Sequence, residues 1–218
     1  MRSLWILLGA LLVSACQAKE LSGEHLDPDS VPWELGFTEP NFMRVWVEDS
    51  AVVDVDGVLY RRVGSGVAAG GKSSNADAAR GWRKGIGGNE KTVVGAKIPV
   101  RIYVRWQSLV EPQTYQGWFE IPESARQILR DAVTKDCLEY PEVKDLRAGG
   151  AVQLGLAPGG VVQIWVRDQC QRPIKVARGQ ATIEPKGPAL GLSGGSYFPL
   201  EEDSKRYIEK YGIPYGSW

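Results

Sequence analysis

Two short segments match patterns that carry chemistry in enzymes, and both lack the surroundings that this chemistry needs. Residues 66–73 (GVAAGGKS) match the G-x-x-x-x-G-K-S pattern of a phosphate-binding loop. Such a loop joins a buried strand to a helix whose N-terminus holds the phosphates. Here the residues after Ser73 leave room for only a short helix, and text rich in Gly, Ala, Ser and Lys produces this match by chance. We therefore expect no nucleotide to bind.

The second segment, residues 191–195 (GLSGG), matches the G-x-S-x-G pattern of a serine nucleophile. That nucleophile needs a strand before the serine and a helix after it, but Pro188 precedes the segment and Pro199 follows it. The only histidine of the chain is His25, in a polar N-terminal segment. A Ser-His-acid triad would need that residue to fold back into the body, so we do not expect one.

Carboxylates are the remaining groups that could act as catalysts. Glu111, with Tyr115 and Trp118 near it, is our candidate for an envelope hydrolase that uses acid and base catalysis. The alternative, which we favour, is a loop carboxylate that accepts hydrogen bonds from turn amides next to Pro112. Asp54 and Asp56 lie before a glycine and are expected in a turn, with a calcium site as the alternative. We thus expect no catalytic residue, no metal site and no cofactor.

The N-terminus predicts an export signal. Arg2 supplies a positive charge, and the apolar run from 4 to 13 is shorter than the roughly 20 residues that span a bilayer. Small residues directly before Cys16 resemble the lipobox of bacterial lipoproteins, which implies that Cys16 is lipidated and anchors the protein to the membrane. Gln17 follows, where Asp would hold such a protein at the inner membrane, so we expect the periplasmic side of the outer membrane. The alternative is an ordinary secretory signal with an incidental cysteine.

Cys137 and Cys170 complete the three cysteines of the chain. In an oxidising periplasm a disulfide between them is the expected state, and two buried free thiols are the alternative. The closed loop would stabilise the fold by about 3–4 kcal/mol in the chain-entropy account. The pair contains no Cys-x-x-Cys spacing, so a thioredoxin-like site is not expected.

Composition indicates a folded protein with no nucleic-acid partner. The chain has 218 residues, 43% hydrophobic and 24% charged, with a formal net charge of zero. Nucleic-acid binding would need a basic excess on one face. We divide the chain into a signal peptide (1–15), a lipid-anchored tether (16–31) and one globular domain (32–218).

The hydrophobic periodicity predicts an α+β fold. Apolar residues alternate along 98–106 and again along 115–121, which indicates two paired strands. Residues 122–133 carry an apolar stripe at helical spacing after Pro122. Further strands are predicted at 32–37 (an edge strand), 42–50, 51–55 and 58–63 (the last two joined by a tight turn at Asp56 and Gly57), 152–156, 161–167 and 173–184, which has a bulge at Gly179, and a short helix is predicted at 200–211. The expected form is a mainly antiparallel sheet or small sandwich, with the first helix covering one face.

Most of the eight tryptophans fall on predicted strands, where packing in the core is the ordinary role. The alternative is an exposed binding patch, because Trp, Tyr and Arg are frequent in binding hot spots. We expect Trp82 to fasten the glycine-rich loop 64–88 to the body. Our candidates for the binding surface are Ser108, Glu111, Tyr115, Trp118 and Trp82.

Residues 103–115 (YVRWQSLVEPQTY) and 155–165 (GLAPGGVVQIW) resemble a family of Gram-negative lipoproteins known as domain of unknown function 2931. The resemblance extends over about 33–185 and implies no catalytic residues, because none are established for the family. Lipoproteins of this general kind are sometimes encoded beside type VI secretion effectors, including lipases, and some neutralise them.

We therefore expect an outer-membrane lipoprotein that acts by binding protein, with a secreted effector as the partner in the most specific version, an immunity protein. The alternatives are a structural lipoprotein that maintains the envelope and, with less support, a hydrolase that uses carboxylates.

Overall fold

The computed structural model describes residues 27–71, 80–141 and 149–218. Predictions for the signal peptide, Cys16, His25, Lys72 and Ser73 lie outside these residues. The chain forms these elements in order: β1 (Trp33–Thr38), β2 (Val45–Asp54), β3 (Leu59–Arg61), β4 (Gly66–Val67), β5 (Lys91–Thr92), β6 (Pro99–Ser108), β7 (Gln113–Glu120), α1 (Glu123–Thr134), β8 (Gly150–Ala157), β9 (Val161–Arg167), β10 (Pro173–Gln180), β11 (Thr182–Ile183) and α2 (Glu202–Tyr211).

The strands form two sheets. One has the order β10-β9-β8-β1-β5, and the other has the order β11-β7-β6-β2-β3 with β4 paired to β2. Neighbours are antiparallel except β1 and β8, which pair in parallel along the whole of β1. The two sheets and two helices confirm a mainly antiparallel α+β fold. The prediction of β1 as an edge strand is wrong, because β1 lies between β8 and β5.

Alternation along β6 directs Ile102, Val104 and Trp106 into a core where none of them is exposed. Since side chains of a strand point alternately to its two faces, the intervening residues of β6 lie on the opposite face. One buried cluster contains residues of both sheets, including Leu35 of the first sheet and Val52 of the second. The two sheets therefore share a core.

Helix α1 belongs to this shared core. Pro122 precedes it in an extended conformation, and Ala125, Leu129 and Ala132 are its buried residues. A Cβ at Gly150 would lie 2.6 Å from Leu129, and Gly150 shares a face of β8 with Val152 of the core. The helix thus lies against the inward face of this sheet. This agrees with the prediction that the first helix covers one face of a sheet.

The N-terminal boundary of the body precedes the predicted one. Val31 is only 8% exposed and packs in the shared core. Asp29 pairs with Arg130 at 2.7 Å, and Asp27 pairs with Lys97 at 2.7 Å. The Lys97 hydrogen bond contributes most to lowering the pKa of Asp27, to about 2. Residues 27–31 therefore pack on the body, and the predicted tether is too long at its C-terminal end.

The bulge in β10 is at a different place from the prediction. The register with β9 shifts between Lys175 and Ala177, not at Gly179. Gly179 has another role, because a Cβ there would lie 2.5 Å from Cδ1 of Phe119 in β7. The glycine lets β10 approach the aromatic side chain of the other sheet.

In the described parts of the chain, no helix is long and apolar enough to cross a bilayer.

Candidate protein-binding groove

The residues predicted as a binding surface do not form one surface. Ser108 is fully buried and Tyr115 is 7% exposed, so neither can contact a partner, and this part of the prediction is wrong. Trp82 is half-buried, and its ring packs edge-on against Trp165 with 5.1 Å between centroids. Trp82 therefore fastens its loop to the body. Trp118 is 43% exposed and is the candidate that faces solvent.

Glu111 is held by hydrogen bonds in a structural role. Its carboxylate oxygens accept hydrogen bonds from the backbone N–H of Gly159 at 2.9 and 3.0 Å and from the hydroxyls of Tyr115 and Tyr215. Burial, followed by the carboxylate of Glu111, raises the pKa of Tyr115 well above its usual range and that of Tyr215 to about 12. Both tyrosines are therefore neutral donors that keep the carboxylate in place. Glu111 thus accepts hydrogen bonds as the favoured interpretation expects, but its amide donor is Gly159 of a distant turn and not an amide next to Pro112.

Trp118 forms a small aromatic and cationic cluster with two residues of β6. It lies directly opposite Tyr103 in the antiparallel pair, with 5.4 Å between ring centroids. The guanidinium carbon of Arg101 lies 4.8 Å from the centroid of the Trp118 ring. An Arg over a Trp face is attracted by the ring quadrupole, so the cluster holds Trp118 in one orientation on the open face of its sheet.

This cluster stands at the mouth of a groove between β7 and β10, the "β7–β10 groove". Its volume is about 540 Å³. The lining residues are Trp118, Phe119, Glu120, Pro122, Ile164, Val176, Ala177, Arg178, Gly179 and Gln180. Phe119 is 5% exposed and forms an apolar floor beside Gly179. One lip carries an indole and the other a guanidinium, over a floor that is mainly apolar.

Charge around the groove is mainly positive. Arg101, Lys175 and Arg178 are exposed, and none forms an ion pair with another residue of the described ranges. Glu120, the one carboxylate among the lining residues, lies opposite Arg101 in the strand pair. Arg178 lines the groove and Arg101 lies over Trp118 at its mouth, so two cations and one carboxylate border it and leave a small excess of positive charge that can attract an acidic ligand.

The enzyme-like motifs have ordinary structural roles where the structure describes them. The hydroxyl of Ser193 donates to the carbonyl of Pro188 at 3.1 Å, within a turn and not between a strand and a helix. Residues Gly66–Val67 form the short strand β4, which pairs with β2. Asp54 accepts hydrogen bonds from the backbone N–H groups of Asp56 and Val58, as expected for a turn. No group of metal-ligating side chains is found over 27–71, 80–141 and 149–218.

Cys137 and Cys170 form the expected disulfide, with sulfur atoms 2.08 Å apart and Cα atoms 4.9 Å apart. The bridge connects the segment after α1 to the turn between β9 and β10. It therefore fixes the end of β10 that is remote from the corner at Ala181, where the chain passes from one sheet to the other.

The sequence points to one side of the groove and not to the other. Trp118 is an aromatic residue on a predicted strand, whereas Arg178 on the other side is not among the predicted binding residues. A signal was present, because the strand 173–180 (PIKVARGQ) contains two cations and only two large apolar residues, a composition that suits an exposed edge strand. Nothing in the sequence shows that this strand comes to lie beside β7.

A family described as "Protein of unknown function (DUF2931)" matches residues 17–216. No curated protein and no solved structure matches the chain. Because the family match extends over nearly the whole sequence, including both strands of the groove, the chain belongs to the DUF2931 family.

Proposed function

We propose that the protein is a lipoprotein of the outer membrane, facing the periplasm, that acts by binding another protein through the β7–β10 groove. The observation that supports the proposal best is the exposed Trp118, fixed by Arg101 at the mouth of an apolar groove. Trp, Tyr and Arg dominate the energy of protein interfaces when they lie in a pocket that excludes water. All three residue types meet in this cluster.

The geometry of the cluster suits binding for a physical reason. An indole that is already held by Tyr103 and Arg101 loses little rotamer freedom when a partner covers it. The mainly apolar floor adds buried area, since each square ångström of apolar surface removed from water stabilises a complex by about 25 cal/mol before the costs of association. If the two sheets pack as the small sandwich that the sequence predicts, this packing would hold the two lips of the groove at a fixed distance.

The most specific version of the proposal is immunity. The lipobox at Cys16 and the tether after it would place the protein at the membrane, where a lipase that arrives in the periplasm would act. Capture of such an effector in the groove would occlude it. Three things support this version: the lipobox, the occurrence of lipoproteins of this general kind beside secreted effectors, and the groove.

The experiment is a pull-down from detergent-solubilised envelopes with the tagged mature protein. We expect one stoichiometric partner, retained by wild type and lost with Trp118→Ala. The matched control is Tyr140→Ala, because Tyr140 is also an exposed aromatic residue (51% exposed) but does not line the groove. The Cys16→Ser variant, which cannot be acylated, should leave the membrane fraction and still bind in solution.

Each outcome distinguishes the hypotheses. Recovery of abundant envelope components alone, with no change in Trp118→Ala, would favour a structural lipoprotein and refute binding through the groove. An activity abolished by Glu111→Gln in a folded protein would favour the hydrolase. For immunity, deletion of the gene should sensitise cells to a sibling strain with an active secretion system, and no such sensitivity would refute that version.

A further inference from the structure

We propose that the β7–β10 groove binds an extended, acidic segment of the partner protein, which pairs with the open backbone edge of β10 as an added strand. This inference rests on the proposed function and specifies the chemistry of the partner. Strand addition uses main-chain hydrogen bonds for affinity and pockets for alternate side chains for selectivity. It requires an unpaired edge and a pocket beside it.

The open edge of β10 can be located by the alternation of antiparallel pairs. Such pairs alternate between residues that exchange hydrogen bonds and residues whose N–H and C=O point away from the partner. Asp168 donates to the carbonyl of Arg172 at one end of the β9–β10 pair, and Ala181 donates to Gly160 at the other. Counting along β9 from either end, Ile164 is a bonded position, so its neighbour Gln163 is a non-bonded one.

Arg178 lies opposite Gln163. The N–H and C=O of Arg178 therefore point away from β9, outward from the sheet. Within the described strands β10 is the last of its sheet, so no strand takes up these two groups. Arg178 also lines the groove, which places an available donor and acceptor at its edge.

The opposite lip has an open edge as well. Ile121 donates to Val100 and Glu184 donates to the carbonyl of Thr114, which makes Trp118 and Glu120 non-bonded toward β6 by the same alternation. β11 pairs only with Tyr115 and Gln116, so it ends before Trp118. The groove is thus bordered by two strands that are not paired with each other, each with outward backbone groups.

The bulge limits where a strand can be added. Pro173 has no N–H, and the register shift between Lys175 and Ala177 interrupts the edge. Prolines, lysines and bulges on edge strands hinder unselective pairing. The regular part of the edge, from Ala177 to Gln180, coincides with the groove, so pairing is confined to the place where Trp118 and the apolar floor can select the ligand.

Charge specifies the ligand further. Arg178 in the lining and Arg101 over Trp118 at the mouth are exposed cations with no ion-pair partner in the ranges that the structure describes, and Glu120 is the one carboxylate of the lining. Alternation along an added strand would direct every second side chain toward Phe119, which Gly179 faces, and the others toward the opposite face of β10, where Arg178 lies. A segment that alternates apolar and acidic residues matches both requirements.

The test uses a short synthetic peptide of alternating glutamate and valine as the probe, titrated into the full-length mature protein and followed by amide chemical shifts and calorimetry. We compare Arg178→Ala with Arg178→Pro. Both lose the charge, but only proline loses the N–H, and an outward N–H on an edge strand is the position where proline is tolerated. We expect the peptide to bind the Arg178→Pro variant about fivefold to tenfold more weakly than the Arg178→Ala variant, which corresponds to the loss of one hydrogen bond.

A second measurement does not depend on how the proline variant folds. The same peptide methylated on its backbone nitrogens should lose binding to wild type, and a peptide of alternating lysine and valine should bind more weakly than the acidic one. Equal affinity of Arg178→Ala and Arg178→Pro together with unchanged binding of the methylated peptide would overturn strand addition. So would failure of the acidic peptide to bind wild type.

The two proposals fail separately. If the protein partner from the pull-down is lost with Trp118→Ala but kept at full affinity by a folded Arg178→Pro variant, the groove binds a protein and strand addition is wrong. If no partner is captured and Trp118→Ala changes nothing, the proposed function itself is wrong, whatever the peptide does.

Discussion

Glu39 and Arg44 form a buried ion pair, in which a guanidinium nitrogen lies 2.8 Å from a carboxylate oxygen. Glu39 is 1% exposed, and its second oxygen accepts a hydrogen bond from the backbone N–H of Val45 at 2.7 Å. Arg44 also pairs with Glu201, directly before α2, at 2.8 Å. One guanidinium thus connects the start of β2 to the C-terminal helix.

This pair predicts an unusual dependence of stability on pH. Burial raises the pKa of Glu39 from 4.5 to about 7, although the charge of Arg44 opposes the shift. Between pH 4.5 and 7 the folded protein keeps a proton on Glu39, whereas the unfolded chain has released it. The contribution of Glu39 to stability is therefore lost as the pH rises toward 7. The free energy of unfolding of wild type, relative to Glu39→Gln, should fall by up to about 3 kcal/mol across this window.

Urea unfolding of both proteins between pH 4 and pH 8 measures this difference. Glu209→Gln is the control, because Glu209 is exposed on α2 and its substitution should leave the pH profile close to that of wild type. If the difference in the free energy of unfolding between wild type and Glu39→Gln does not change with pH, Glu39 stays ionised in its pair with Arg44.

The disulfide gives the second prediction. Cys137 and Cys170 are 33 residues apart in sequence, so the doubly substituted Cys137→Ala/Cys170→Ala protein should lose about 3–4 kcal/mol of stability in the chain-entropy account. Calorimetry in the absence and presence of a reductant measures this loss. The reductant should lower the melting temperature of wild type and not that of the double variant; equal sensitivity of both would contradict the bridge as the cause.

Local patterns in the sequence predict the parts of this fold that depend on local chemistry. The alternation around Val104 and the helical stripe with Leu129 each appear where predicted, because burial of one face of a strand or helix leaves its period in the sequence. Gly212 ends α2 with a positive φ of 70°, as expected for a helix C-terminus.

Contacts between distant segments are not encoded in such patterns. The parallel pairing of Trp33 with Gly150 and the approach of Gly179 to Phe119 join segments that are far apart in the sequence. The candidate surface fails for a different reason. Tyr115 and Trp118 are three residues apart in one strand and therefore face opposite sides, which alternation in the sequence already predicts.

The third prediction concerns Glu111 as a structural acceptor. Glu111→Ala removes the acceptor of the Gly159 N–H, so we expect a loss of about 1–2 kcal/mol of stability. Glu111→Gln keeps an oxygen that can accept this hydrogen bond and should lose less. Chemical denaturation measures both, and capture of a partner by Glu111→Gln should equal that of wild type. A larger loss for Gln than for Ala would show that the role of Glu111 is not that of an acceptor.

The fourth prediction concerns the contact of Trp82 with the sheet. A Cβ at Gly155 would lie 2.6 Å from ring atoms of both Trp82 and Trp165, and neither ring can retreat easily, because they pack against each other. Gly155→Ala should therefore cost about 1–3 kcal/mol, as other substitutions that overpack a core do. It should also displace Trp82, which then releases the loop that carries Arg83.

Two measurements separate this effect from general destabilisation. Limited trypsinolysis should cleave Gly155→Ala faster at Arg83, under conditions where its unfolded fraction is negligible, because the loop has lost its contact with the sheet. Gly71→Ala is the matched control, since a Cβ there meets only the side-chain oxygen of Asn41, at 3.1 Å. If Gly155→Ala is as stable as this control and is cleaved at the same rate, the Trp82 ring does not fasten the loop, and another contact must hold it.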